Sequence, residues 1–235
     1  MTGNPAIPVP PPAFRYRPKR LAYQLSRQAA VKIVCIGSST TAGEGGITPY
    51  PQRLQGALLA RFPSRTITLL NRGNGGEEAQ AELARMQTDV IDENPTMVIW
   101  QVGTNAVWNG DPLGPVEDAI KSGLALLRDN NMDIVLMDLQ YVPAVLTPGR
   151  AEAAADMVDI IARAAEGCGA DVNVFQRFTY MKAWRDVERI SFDRILDPGD
   201  LNRLHHSDWS IQRITDALCQ VMLNALSIPD PPATS

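Results

Sequence analysis

Cysteine is scarce in this chain. Cys35, Cys168 and Cys219 are the only three, widely separated and each in an apolar context. That spacing excludes a disulfide framework and a metal-binding cysteine motif, and it suits buried small hydrophobes. Positive charge is not in excess: 22 Lys and Arg against 26 Asp and Glu leave a net charge of -4. The one basic cluster, Arg15, Arg17, Lys19 and Arg20, is explained as a solvated segment, so no nucleic-acid partner is expected. No apolar run is long enough for a membrane span, and no signal-peptide hydrophobic region is visible. Compartment and oligomeric state are left open. The phosphate cradles G-x-x-x-x-G-K-[ST] and G-x-G-x-x-G are missing, as is the nucleophile elbow G-x-S-x-G.

What is present is an ordinary globular composition, 45% hydrophobic, which is enough to build one domain with a substantial core. Residues 1–18 carry Pro5, Pro8, Pro10, Pro11, Pro12 and Pro18 and are expected to be an extended N-terminal segment. Residues 19–228 form the expected domain, and 229–235 a frayed tail. Within the domain, short apolar runs alternate with helical periodicity. Ile33 to Ile36, Ile67 to Leu70, Met97 to Val102, Ile134 to Met137 and Val172 to Phe175 read as buried strands. Helices are expected near 20–28 and 52–62, along the stripe Ala79, Leu83, Met86 and Val90, and along Val116, Ile120, Leu124 and Leu127. Two more follow on Met157, Ile160, Ile161 and Ala164 and on Ile211, Ile214, Leu218 and Met222. Such alternation predicts a three-layer α/β/α sandwich with a central parallel sheet, flavodoxin-like in architecture.

In a parallel sheet the carboxyl ends of the strands share one edge, where open α/β folds place their chemistry. Small polar clusters occupy three of those ends: Ser38 to Thr41, Asn71 to Gly76, and Gly103 to Asn105. The only two histidines, His205 and His206, lie together before the last helix. Each cluster also has a plain structural explanation: a hydroxyl helix cap, a glycine turn, a loop cap, exposed histidines.

Taken together, the clusters resemble the SGNH (GDSL-type) hydrolases from about Val31 to Leu223. Gly37-Ser38-Ser39-Thr40-Thr41 is similar to that family's G-D-S-x-T block, which puts the nucleophile at Ser39. Asn71 to Glu77 is similar to the second block, with Gly76 at an oxyanion-hole position. Val102-Gly103-Thr104-Asn105 resembles G-x-N-D and makes Asn105 another oxyanion donor. Leu204 to Trp209 resembles the final D-x-x-H block and its continuation, with His205 as base.

The resemblance implies a serine esterase acting on short-chain carboxylic esters (acetyl, aryl or carbohydrate) through an acyl-enzyme, with no metal and no cofactor. An imidazole takes the serine proton, and the Ser39 and Gly76 N–H groups and the Asn105 amide receive the oxyanion. Glycine at 76 is expected because a side chain there would crowd that oxygen. Partners are a small-molecule ester or an acylated carbohydrate. Two positions depart from the pattern. Ser38 replaces the aspartate before the nucleophile, and Asn202 replaces the aspartate three residues before His205. An amide holds a ring without stabilising an imidazolium, so Asn202 is expected at that place, with Asp200 or a backbone carbonyl as substitutes. The alternatives are an acyltransferase, or a triad-impaired binder of an acylated ligand or glycan.

Overall fold

The computed structural model describes residues 8–227. The expected frayed tail and residues 1–7 of the proline-rich segment lie outside the described residues. Five strands form one parallel sheet: β1 (Val31–Gly37), β2 (Ile67–Gly73), β3 (Met97–Gln101), β4 (Asp133–Met137) and β5 (Val172–Phe175), in the order β2-β1-β3-β4-β5. The helices are α1 (Lys19–Ser26), α2 (Ser39–Ala42), α3 (Tyr50–Arg61), α4 (Ala79–Ala84), α5 (Thr104–Asn109), α6 (Leu113–Arg128), α7 (Arg150–Gly167), α8 (Arg177–Asp186), α9 (Phe192–Ile195) and α10 (Asp208–Ala225). This is the flavodoxin-like order, with its reversal point beside β1.

Central strands β1, β3 and β4 are continuous apolar runs because helices cover both faces; Ile33 to Ile36 and Met97 to Trp100 are fully buried. Strand β2 is a correction. It stands at the edge, and only Ile67 of its seven residues is buried. The stripes on α6, α7 and α10 face inward as their 3.6-residue spacing requires. The single helix expected over Ala79 to Val90 is instead α4 followed by a π-turn, Gln87–Ile91. Residues 8–18 contain no helix or strand, yet they are tied down. Tyr16 exchanges hydrogen bonds with the Asn173 side chain on β5, and Phe14 is buried.

Inside the α4 stripe sits an unexpected carboxyl group. Glu82 is buried, and its Oε2 accepts a hydrogen bond from Trp100 Nε1 at 2.7 Å. Burial pushes its pKa from 4.5 up to about 8. Between those values the folded chain keeps a proton that the unfolded chain has released, so stability falls as pH rises through this window. Glu82→Gln keeps the acceptor for Trp100 and removes the titration. In denaturant melts it should gain more than about 1 kcal/mol on the wild type at pH 8 relative to pH 5. An unchanged difference between the two pH values would count against this account.

Register places the site. Gly37 pairs with Gly73, and Ile36 pairs with Trp100, so the chain leaving β1, β2 and β3 emerges on one edge of the sheet.

Candidate active site

The nucleophile turn begins at Gly37. Ser38 occupies the N-cap position of α2 without a side-chain cap bond, and Ser39 is the helix's first residue, buried at the sheet edge. The side chain of Gln101, at the end of β3, holds the turn from below. Its Oε1 accepts from the Ser38 backbone N–H at 3.1 Å and from Thr41 Oγ1 at 3.1 Å, and the Ser38 hydroxyl meets both ends of the amide. Ser38, a neutral hydroxyl where the related block carries an aspartate, thus finds a neutral amide as its partner. From the other side the end of β2 presses against α2. A Cβ on Gly73 would stand 2.1 Å from the Ala42 nitrogen, so only glycine permits this approach. Asn71 Nδ2 also donates to the Thr41 carbonyl at 2.7 Å.

The second and third clusters meet above Ser39. Gly76 has φ +80, and a Cβ there would meet no protein atom within 4 Å. Its glycine is therefore explained by backbone conformation, without any crowding by neighbouring protein atoms. Asn105, near the start of α5, is buried and donates one amide hydrogen to the Glu77 carbonyl at 2.9 Å. That bond fixes the amide, and its second hydrogen has no partner among the described residues. Glu77 pairs with Arg85 at 2.7 Å, and Glu78 occupies the cap position of α4 without capping it.

His205 and His206 separate. His206 is buried, with Nδ1 2.8 Å from Ser210 Oγ. Burial first, then Arg177 and His205, hold its pKa well below the ordinary imidazole range. His205 lines the cleft with Ser39, Gly76 and Asn105, a space of about 230 Å³ that also touches Trp108 and Asn202. Its Nδ1 lies 3.1 Å from Asp200 Oδ2. The contact expected from Asn202 is made by Asp200; the Asn202 contribution is a backbone N–H donated to Asp200 Oδ1 at 3.0 Å. Asp200 Oδ2 also accepts the backbone N–H groups of Leu204 and His205, at 2.7 and 2.6 Å. Burial alone would raise the Asp200 carboxyl, but these backbone donors and the His205 ring outweigh it and lower its pKa.

On the opposite side of the ring, His205 Nε2 lies 3.0 Å from Glu44 Oε2. No hydrogen bond joins Ser39 Oγ to His205 among the described residues. Also among the described residues, no group of three or more His, Cys, Asp or Glu side chains is placed to hold a metal ion. No helix there is long and apolar enough to cross a membrane.

The model of the non-GDSL lipase-like family matches residues 8–227. The chain belongs to that family. Ser38, in place of the aspartate of the GDSL block, is in keeping with the description. Membership covers every strand of the sheet and each of the four clusters. An arylesterase of Vibrio mimicus is 25% identical over 118 residues, which are 49% of this chain and 58% of the relative, so the match spans little more than half of that protein. Among solved structures, an acetylxylan esterase of Geobacillus stearothermophilus superposes with a TM-score of 0.66 at 19% identity, covering 85% of this chain and 95% of that one. An α/β hydrolase from the metagenome of Lake Arreo, Spain, gives 0.66 at 21% identity, with 86% and 99% covered. At such identities the two structures establish the shared fold. Solved catalytic mutants of the acetylxylan esterase replace a serine, an aspartate and a histidine.

Gln101, Glu44 and Trp108 were not singled out from this family member's sequence. Gln101 did carry a signal, a lone polar residue closing a buried apolar strand. Glu44 and Trp108 carried none, since their roles depend on how loops cross the sheet edge.

Proposed function

We propose that this protein is a serine esterase acting on short-chain esters, acetyl esters first, through an acyl-enzyme on Ser39. The observation carrying this reading is the shared cleft of Ser39 and His205, with the Asp200 carboxylate on Nδ1 of the same ring. In the reading, Ser39 Oγ attacks the ester carbonyl while His205 Nε2 takes its proton. The carbonyl oxygen becomes an oxyanion that accepts hydrogen bonds from the Ser39 and Gly76 N–H groups and the free hydrogen of the Asn105 amide. One such donor is commonly worth about 100- to 1,000-fold in turnover. His205 then returns the proton to the departing alcohol, and water repeats the sequence to release the acid.

Two features support a short acyl group. Beside Ser39 a notch of about 20 Å³, walled by Ile47, Pro49 and Ile211, has room for a group the size of a methyl. The larger cleft, bordered by Trp108, Asn109 and Asn202, is left for the alcohol portion and suits an aryl or hydroxyl-rich group. The names of the arylesterase relative and the acetylxylan esterase neighbour point the same way. The carboxylate of Asp200 on the ring supports the enzyme over a triad-impaired binder, the alternative that rests on Asn202.

A serine-directed organophosphorus probe tests the reading. The adduct should map to Ser39, Ser38→Ala should still be labelled, and p-nitrophenyl acetate should be cleaved faster than the butyrate and octanoate esters. An adduct on Ser38, or faster cleavage of the longer esters, would overturn the assignment or the acyl preference respectively. Acyl transfer to an added alcohol in preference to water would make the protein a transferase.

A further inference from the structure

Glu44 lies in the loop that leaves α2, five residues after Ser39, and it borders both the notch and the cleft. Its Oε2 is 3.0 Å from His205 Nε2, and its Oε1 lies where a Cβ on Gly75 would come within 2.5 Å of it. The side chain therefore lies across the site, from the base to the turn that precedes the Gly76 donor. An ionised carboxylate only accepts hydrogen bonds, so in this contact Nε2 carries the hydrogen. A nitrogen so engaged has no lone pair to offer the Ser39 hydroxyl. Asp200 holds Nδ1 at the same time, so the ring is clamped between two carboxylates of different standing. Asp200 is anchored by three backbone N–H groups, and its side chain is 9% exposed. The Glu44 side chain is 41% exposed and makes no other hydrogen bond or ion pair among the described residues. One carboxylate is built in. The other is free to leave.

We propose that Glu44 is a displaceable latch: in the resting protein it occupies Nε2 of His205, and an incoming ester must lift it away before the ring can activate Ser39. Glu44 is a positioning residue in this scheme, since it acts through His205. The inference rests on the serine-esterase reading of the same site. Glu44 is followed by Gly45 and Gly46, at φ +65 and +74, a turn that residues with side chains rarely adopt. Displacement also carries the Nε2 hydrogen away as a proton, taken by the departing Glu44 carboxylate and passed to solvent, so that Nδ1 keeps its hydrogen on Asp200 and Nε2 is left with a lone pair. The latch sets how much of the enzyme presents a free base.

The test is the rate of covalent labelling of Ser39 by a neutral organophosphorus fluoride, measured on the full chain as wild type, Glu44→Ala and Glu44→Asp. Labelling depends on the base and needs no recognition of the alcohol portion. Glu44→Ala should label about tenfold faster or more, the scale of releasing one charge-assisted hydrogen bond. Glu44→Asp keeps the charge but is one methylene too short, so it should behave like Glu44→Ala; a purely electrostatic role would leave it like the wild type. Proton NMR gives a second readout, uncluttered because the chain has only two histidines. The downfield Nε2–H resonance of His205 should be present in the wild type and lost in both variants. Unchanged or slower labelling in Glu44→Ala overturns the latch, as does a faster rate with the resonance retained. Failure to label Ser39 in any of the three proteins instead overturns the serine-esterase reading beneath it.

Discussion

His205→Ala should abolish ester hydrolysis, whereas His206→Ala should leave a less stable protein that still turns over. Removing the base of a serine hydrolase costs on the order of a million-fold in kcat, because the serine hydroxyl at its own pKa is a poor nucleophile. The two adjacent histidines separate for a local reason. Ser207 caps α10, with its Oγ accepting from the Ser210 N–H, which fixes the chain just after the two histidines. The chain bends at His205, and the bridge between Leu196 and His206 fixes the residue that follows, so the two side chains part. His205 therefore faces the cleft. His206 faces the interior, where it meets Ser210. Truncating His206 would leave a cavity and an unpaired Ser210 hydroxyl, at a cost of about 2–4 kcal/mol. Hydrolysis of p-nitrophenyl acetate, normalised to folded protein by thermal melts, checks both halves. His206→Ala should retain at least a tenth of wild-type kcat. A loss in folded His206→Ala comparable to that in His205→Ala would remove the distinction.

The contrast between these histidines marks what the sequence could reveal. Strand ends were legible, because apolar runs that stop at small polar residues can be read one residue at a time. Register then brings Ser39, Gly76 and Asn105 to the same edge. The stripes of α6, α7 and α10 were legible for the same reason: a 3.6-residue period is a local property. Properties set by distant neighbours were not. Ile67 to Leu70 reads as a buried run, yet the sheet order leaves β2 at the edge with one face only half covered. Helix α8 was missed, although its first residue, Arg177, is wholly buried and donates from Nε to the Asp138 carbonyl at 2.9 Å. Nothing in the sequence pairs those two residues, 39 positions apart. The clamp of Gln101 on the nucleophile turn and the reach of Glu44 to His205 are likewise contacts between loops and strand ends, set by topology.

Asp200→Asn should lower kcat by about 10,000-fold, and Asn202→Asp should change kcat/KM by less than tenfold. The first magnitude is that of replacing the orienting carboxylate of a serine triad by an amide, which favours the wrong tautomer of the base. Counting back three residues from His205 reaches Asn202, but the chain between 197 and 205 is folded back on itself. The Asp197 N–H reaches the His205 carbonyl at 3.0 Å, and the Arg203 N–H bonds the Asp200 carbonyl at 3.1 Å, with Arg203 at φ +55. Within this turn the Asp200 carboxylate is the centre around which the loop closes, taking backbone N–H groups from 202, 204 and 205. Five residues of separation become one side-chain contact of 3.1 Å. An asparagine at 200 has one acceptor oxygen and cannot serve both the loop and the ring, so part of the loss should appear as a lower melting temperature. Asp200→Glu separates the two effects: it keeps the charge, disturbs the turn, and should recover more kcat than Asp200→Asn at similar stability. A new carboxylate at 202 would stand beside Asp200 and meet like-charge repulsion, so it offers the ring little. The decisive measurement is kcat/KM for p-nitrophenyl acetate in Asp200→Asn, Asn202→Asp and the double variant. If Asp200 orients His205, the double variant stays as inactive as Asp200→Asn. Recovery of more than tenfold in the double variant would return the orienting role to position 202.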